Sequence, residues 1–304
     1  GIKKLPPSCN LTLRFKEKHK VEENIEYFWD ISTIQEEVLS PMTLEDYLEE
    51  FDLLIKESVK NRMISDVPLG AFLSGGTDSS LIVATMQALS SSKINTFTIG
   101  MNDENYNEAP KAKVIASHLG TNHTELYIDQ KEILELVPCI HANFDEPFSD
   151  SSQIPSYLIS KLAKQSVTVA LSGDAGDEFF GGYKRYLTAR DLWRYSAKLP
   201  NFTRAHISGV LNNKFIKHAI TNYSPEFLLK KYSNSSNRLN KVTRLANLLS
   251  NEDLSGFYSA LISNTNSLNF LNKDIENQNP YVFHSDDEML MRLMKKDIDD
   301  YLPN

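Results

Sequence analysis

The chain has 304 residues, 41% of them apolar and 24% charged, with a formal net charge of −8. That is enough apolar material for a sizeable core in one large or two small domains, and the charge argues against a polynucleotide partner. No apolar run approaches a membrane span, Gly1-Ile2-Lys3-Lys4 is not followed by a signal-peptide core, and Cys9 and Cys139 stand alone without C-x-x-C spacing. Neither a disulfide framework nor a zinc cluster is indicated, and the composition points to a soluble enzyme of the cytoplasm.

Residues 1–40 read as a polar, extended leader with prolines at 6 and 7, and Pro41 follows, a build suited to a strand remnant and connector. Thr43 then caps a helix whose apolar set Leu44, Leu48, Phe51, Ile55 and Val59 lies on one face. Val67 to Leu73 reads as a short buried strand. It breaks at Ser74-Gly75-Gly76-Thr77-Asp78-Ser79-Ser80 into a helix with Leu81, Ile82, Thr85, Ala88 and Leu89 at helical spacing.

That break has the build of a phosphate site. Two glycines let an anion approach the main chain, and the amides and positive dipole end of the next helix face the loop. Ser74, Thr77 and Ser79 add hydroxyl donors, whereas Asp78 repels a phosphate unless a cation lies between them, so the loop implies Mg²⁺ as well. The same residues also make ordinary turn chemistry with a helix cap. Neither G-x-x-x-x-G-K-S/T nor G-x-G-x-x-G occurs in the chain, which leaves a pyrophosphate loop, cleaving between the α and β phosphates, as the nucleotide-binding alternative.

Downstream, strands are expected at 94–100, 123–128 and 167–172, with helices near 108–119, 130–142 and 154–165. His118 and His123 are expected to flank the turn at Gly120 rather than to bind metal. The alternation means a doubly wound parallel α/β sheet with helices on both faces over residues 41–190. The β-branched strand Val167 to Leu171 is expected to be buried. It ends in Ser172-Gly173-Asp174-Ala175-Gly176-Asp177-Glu178-Phe179-Phe180-Gly181-Gly182-Tyr183, a second strand-to-helix turn loaded with carboxylates. Two such loops at the carboxyl ends of parallel strands face one crevice. Residues 191–304 are rich in Asn, Ser, Lys and Leu with helical spacing, as at Leu290, Leu293, Met294 and Ile298. They read as a C-terminal α-helical cap, with a surface loop at Ser233-Asn234-Ser235-Ser236.

The pair S-G-G-T-D-S-S and L-S-G-D-A-G-D-E-F-F-G-G-Y resembles the synthetase domain of the B-type, glutamine-hydrolysing asparagine synthetases. Leu5-Pro6-Pro7 with Tyr27-Phe28-Trp29-Asp30, the strand Ile94 to Gly100, the run Asp145 to Ser152 followed by Ile154 to Leu158, and Asp299-Asp300-Tyr301-Leu302-Pro303 resemble further stretches of that family. The resemblance is dense from about Leu5 to Tyr186 and thin afterwards.

It implies an adenine-nucleotide α-hydrolase (PP-loop) fold. Residues 1–40 would be a connector from a glutaminase domain, 41–190 the ATP-binding core and 191–304 the helical remainder. It also implies adenylation of the aspartate side chain by ATP, release of pyrophosphate, and opening of the β-aspartyl adenylate by ammonia. ATP and pyrophosphate would be held by Leu73, Ser74, Gly75, Gly76, Thr77, Asp78, Ser79, Ile99, Ser172 and Gly173, with Tyr183 and Lys184 closing on the phosphates. Asp78 and Asp177 would bind Mg²⁺, and Asp174 would take the proton shed by the amine. The acceptor would lie at Asp145, Glu146, Ser149, Ser151, Ser152 and Gln153.

The partners implied are L-aspartate, ATP and ammonia, with a homodimer or an associated glutaminase domain, and no nucleic acid or membrane. Residue 1 is Gly, not the nucleophilic cysteine of the family's glutaminase domain, and the chain stops at Asn304 near a point where the family continues. Glutamine hydrolysis is therefore not expected of these residues, and an excised synthetase portion with little turnover of its own is. Three alternatives stay open: an amide ligase for another carboxylate such as a sugar uronic acid, a tRNA-modifying pyrophosphatase, and a nucleotide-binding fragment without turnover.

Overall fold

A computed structural model describes residues 5–16, 20–31, 42–102, 107–144, 152–213, 216, 238–262 and 286–298. It divides into two compact units, one of Gly1–Gln35 with Asp177–Asn304 and the other of Glu36–Gly176.

The leader carries a pair of strands. Strands β1 (Cys9–Lys16) and β2 (Lys20–Tyr27) pair antiparallel over their whole length, from Cys9 opposite Tyr27 to Lys16 opposite Lys20. The register sets Leu11 against Ile25 and Phe15 against Val21. Period-two alternation of apolar residues is what such cross-strand pairs require.

In the unit Glu36–Gly176, α1 (Leu44–Arg62) starts with a full capping box: the Asp46 amide donates to Thr43 Oγ1 at 3.2 Å and the Thr43 amide to Asp46 Oδ2 at 2.8 Å. Those hydrogen bonds from Thr43 hold the Asp46 carboxyl below the ordinary carboxylate range. The expected apolar face is only partly used. Val59 is buried and Ile55 packs against the core, whereas Leu44 is 73% and Leu48 57% exposed. The described core meets this helix over its last turns.

The sheet is built from β3 (Leu69–Phe72), β4 (Asn95–Met101), β5 (Asn122–Ile128) and β6 (Val169–Leu171), all parallel, in the order β5-β4-β3-β6. Between them come α2 (Thr77–Leu89), α3 (Ala109–Leu119), α4 (Gln130–Ile140) and α5 (Gln153–Ala163). Gly120 closes α3 between His118 and His123, as expected. Neighbouring residues of β3 face opposite ways. Ala71 and Leu73 join Val59, Val83, Met86, Ile94, Ala112 and Ala116 in one cluster, and Phe72 joins Phe97, Ala163 and Val167 in another. Helices α1, α2 and α3 therefore cover one face and α5 the other, which is the doubly wound arrangement the alternation predicts.

Two expectations need correction here. The buried residues of α2 are Ser79, Val83, Thr85 and Met86, with Ile82 packed against the same cluster, so Thr85 and Ile82 face the core as expected whereas Ala88 and Leu89 are exposed. Val83 and Met86 supply the fully buried contacts in their place. The strand at 167–172 is shorter and more open than expected, with Val169 41% exposed, because β6 is an outer strand among those described.

In the other unit, α6 (Gly176–Phe180) begins at the division and is followed by α7 (Lys184–Ser196), α8 (Asn201–Asn212), α9 (Arg238–Leu249), α10 (Leu254–Ile262) and α11 (Asp286–Lys296). Tyr186 and Ala189 of α7, Leu248 of α9, Leu254, Phe257, Tyr258 and Leu261 of α10, and Met289 and Leu293 of α11 make its core. Helix α8 is tied to α9 by a buried bond from Ser208 Oγ to the Ala246 carbonyl at 2.7 Å. These residues are helical as expected, and the stretch Ser233–Ser236 lies outside the described residues. No helix among the described residues is long and apolar enough to cross a membrane.

Candidate functional site

The chain visits β3, then β4 and β5 on one side, and returns to β6 on the other, so the strand order reverses between β3 and β6. Open α/β sheets bind ligands outside the carboxyl ends of the strands at such a reversal. The register Leu69 to Val169, Gly70 to Ala170 and Ala71 to Leu171 makes the two strands end side by side. The Ser-Gly-Gly loop leaves one of them and the Ser-Gly-Asp loop leaves the other.

The first loop is held by its own hydroxyls. Leu73 is fully buried and its amide donates to the Phe97 carbonyl at 2.9 Å. The Ser74 amide donates to Ser79 Oγ at 3.2 Å, the two serine hydroxyls meet at 2.9 Å, and the Gly76 amide donates to Ser74 Oγ at 3.2 Å. Ser80 Oγ adds a 2.6 Å bond to the Gly76 carbonyl. Gly76 is the N-cap of α2 and makes no side-chain cap bond, so no side chain of the cap occupies the first amides of the helix. Gly75 takes a φ of 79°, and a Cβ there would fall 2.8 Å from Lys111 Cβ and 2.9 Å from the Ala112 amide nitrogen. Only glycine fits both demands. On that side lies a hollow of about 430 Å³ lined by Gly75, Pro110, Lys111, Val114 and Ile115.

The second loop closes on the first through its glycines. A Cβ on Gly173 would sit 2.6 Å from the Ser79 amide nitrogen and 2.9 Å from the Asp78 carbonyl carbon. A Cβ on Gly176 would sit 2.6 Å from Asp78 Cγ and 2.7 Å from its Oδ1. Between the two, Ala175 holds a φ of 72°, a left-handed conformation that costs a non-glycine residue about 1–3 kcal/mol. Asp174 is exposed, and its Oδ2 accepts from Ser172 Oγ at 2.8 Å.

Leu73, Ser74, Gly75, Gly76, Thr77, Asp78, Ser79, Ser172, Gly173 and Asp174 thus converge at one end of two paired strands. Ile99 lies on β4 two residues past Phe97, at the same end. Asp177, Tyr183 and Lys184 belong to the other unit. There the Asp177 carbonyl accepts the Gly182 amide at 3.0 Å and its carboxylate packs against the Gly182 backbone. Tyr183 donates its hydroxyl to Glu178 Oε1 at 2.8 Å, and Lys184 is exposed. Of the expected acceptor residues, Ser152 is the N-cap of α5 and Gln153 its first residue, while Asp145, Glu146, Ser149 and Ser151 lie outside the described residues.

Among the described residues no group of three or more His, Cys, Asp or Glu could hold a metal by itself. A Mg²⁺ ion that arrives with phosphates needs only one or two carboxylates, because phosphate oxygens and water complete its octahedron. Asp78, an oxygen donor set against bare backbone at Gly176, fits that requirement.

One contributor, Gly176, is not singled out by the sequence, which gives Glu178 a supporting place in the loop. Gly176 carries no chemistry of its own, and its spacing from Gly173 around three acids was the available signal. Glu178 is buried at 3% exposure under the Tyr183 hydroxyl, a supporting part for the turn.

Comparison with known proteins agrees with this geometry. The asparagine synthase family model matches residues 50–304. The chain belongs to the asparagine synthase family. It is 40% identical over 182 residues to a Methanocaldococcus jannaschii protein assigned as glutamine-hydrolysing asparagine synthetase 2, an alignment covering 57% of this chain and 35% of that protein. Glutamine-hydrolysing asparagine synthetase 1 of Bacillus subtilis is 42% identical over 144 residues, covering 45% of this chain and 23% of the relative. For asparagine synthetase B of Escherichia coli the figures are 28% over 195 residues, 59% and 32%. The matches span about a quarter to a third of the relatives' own lengths. The resemblance in the two loops therefore extends over residues 50–304, with the PP-loop fold that goes with the family.

Proposed function

We propose that this chain carries the ATP-dependent half-reactions of asparagine synthesis. The β-carboxylate of aspartate attacks the α-phosphorus of ATP, the bond to the β-phosphate oxygen breaks, and pyrophosphate leaves. Ammonia then attacks the carbonyl of the β-aspartyl adenylate and AMP departs. The observation that supports this most is the closure of Gly173 and Gly176 on the first turn of α2 at the sheet's reversal point.

In this reading the Thr77 amide and the first turn of α2 face the phosphates. Gly173 leaves the backbone bare, so that the nucleotide can lie across the strand ends beside Leu73, Ile99 and Ser172. Asp78 and Asp177 would hold Mg²⁺, which supplies charge neutralisation on the departing pyrophosphate. Asp174, exposed and oriented by Ser172, takes the proton that the amine sheds. Tyr183 and Lys184 would close on the phosphates, and Ser152 and Gln153 belong to the segment that would receive aspartate. The ammonia comes from glutamine where a glutaminase domain is associated.

The test is exchange of labelled pyrophosphate into ATP, in the 304-residue chain and in any longer protein that contains it. Exchange should require both Mg²⁺ and L-aspartate. Asp174→Asn should spare the exchange more than it spares asparagine formation, since its role begins when the amine arrives. Exchange supported by a sugar uronic acid and not by aspartate would move the acceptor to the neighbouring class of carboxylates.

A further inference from the structure

The best-built polar cluster among the described residues lies within the helical unit. Asp297, one residue past α11, is fully buried. Its Oδ2 accepts three donors: Arg185 Nη2 at 2.8 Å, Tyr186 OH at 2.8 Å and Tyr258 OH at 2.6 Å. These partners come from α7 and α10, so one carboxylate oxygen joins three helices. Burial and the bond to Asp297 push both tyrosine hydroxyls far above their ordinary range, which keeps them protonated as donors at any physiological pH.

The cluster does not end there. The Arg185 guanidinium carbon lies over the Tyr183 ring, 3.6 Å from its centre, and Tyr183 packs edge-on against Tyr186 at 5.6 Å. Tyr183 in turn donates to the buried Glu178 at 2.8 Å. Its chain neighbours Gly181 and Gly182 meet Met294 of α11 and the Asp177 carboxylate. A path of direct contacts thus runs from Asp297 through Arg185 and Tyr183 to the segment that carries Asp177 and Glu178.

A burial argument assigns the arms different work. Tyr258 is deep in the helical core and contributes to its cohesion. Arg185 is held by Asp297 and presses on the turn, so losing Asp297 frees a cation from Tyr183 as well as leaving two buried hydroxyls unpaired.

We propose that Asp297 is a positioning residue for the carboxylate segment 177–183, acting through Arg185 and Tyr183. This rests on the reading of that segment as part of the Mg·ATP site, and its test separates the two. Hydrogen exchange of the amides in 177–183 reports the positioning whether or not nucleotide binds. It should speed up about tenfold or more in Asp297→Asn and in Arg185→Met and stay unchanged in Tyr258→Phe, although Tyr258→Phe also lowers the melting temperature. Arg185→Met, at a half-buried site, keeps the test alive should Asp297→Asn fail to fold.

The Mg²⁺ concentration that half-saturates ATP binding should rise roughly 10- to 100-fold in Arg185→Met, the usual effect of removing a support behind a metal ligand, and stay level in Tyr258→Phe. Unchanged exchange in both Asp297→Asn and Arg185→Met, or equal acceleration in Tyr258→Phe, would overturn the proposal. If segment 177–183 loosens as expected while the wild-type chain binds no Mg·ATP, the positioning stands and the functional reading falls.

Discussion

The two loops at the head of the sheet are held by different means. The first, Ser74 to Ser80, is tied by hydroxyls within six residues of one another and rests on a buried strand. The second has local bonds too, from Ser172 to Asp174, from Gly182 to Asp177 and from Tyr183 to Glu178, but it draws on more distant packing as well. Its early part packs through the bare backbone of Gly173 and Gly176, with Ala175 strained between them, and its later part leans on Tyr183, Arg185 and Asp297. A loop of the first kind is rigid by its own chemistry, whereas one of the second kind depends on distant packing and can be loosened from outside.

That contrast can be broken, beginning with the frame beneath the first loop. Met86→Ala, which empties a fully buried position in the stripe under β3, should cost about 2–5 kcal/mol in urea unfolding. Leu89→Ala, on the exposed side of the same helix, should stay within about 0.5 kcal/mol. Equal losses would return the stripe to Leu89.

Next in size is Gly173→Ala. Its methyl group falls on the Ser79 amide, so it should destabilise the chain by about 1–3 kcal/mol and weaken nucleotide binding more than its stability loss explains. Ala175→Gly, by contrast, should relieve backbone strain and raise the melting temperature. Ser79→Ala removes the hydroxyl that closes the first loop and should cost about 1 kcal/mol. A loss well below that would mean that the first loop is not self-supporting.

The smallest effect concerns the edge of the sheet. Burial lowers the His123 pKa from 6.5, with the Glu125 charge opposing and the Lys113 charge assisting, and its Nδ1 meets Thr96 Oγ1 at 2.9 Å. The unfolded chain takes up a proton near 6.5 while the folded chain still resists it, so stability present above that pH is lost as pH falls below it. The urea midpoint should therefore drop between about pH 7.5 and about pH 5.5, and His123→Gln should make that drop shallower. An identical drop in the variant would remove His123 from the account.

The same contrast explains what could be read in advance. The first loop, the alternating strands and the capping box at Thr43 were legible because each is decided within a few residues. The apolar spacing of α2 finds Ile82 and Thr85 on the core side but misplaces its last turn, where Ala88 and Leu89 are exposed. The leader's pairing hid behind its charges, though Leu11, Phe15, Val21 and Ile25 alternate as strands do. Asp297 is not singled out by the sequence, where it follows Lys295 and Lys296, because its donors lie 39, 111 and 112 residues away. One signal was there: Met289, Leu293 and Asp297 follow at four-residue steps, so the acid falls on the buried stripe of its helix. Glycines that matter for what they leave empty, such as Gly176, are legible only once the partner loop is in place.

The central claim is that the two loops form one Mg·ATP site, and titration calorimetry of Mg·ATP into the intact chain tests it most directly. Wild type should bind in the presence of Mg²⁺ and lose affinity when Mg²⁺ is withdrawn. Asp78→Ala and Asp177→Ala should each weaken binding at least as much as removing a support behind a metal ligand does, roughly 10- to 100-fold. Unchanged affinity in both variants would contradict the claim.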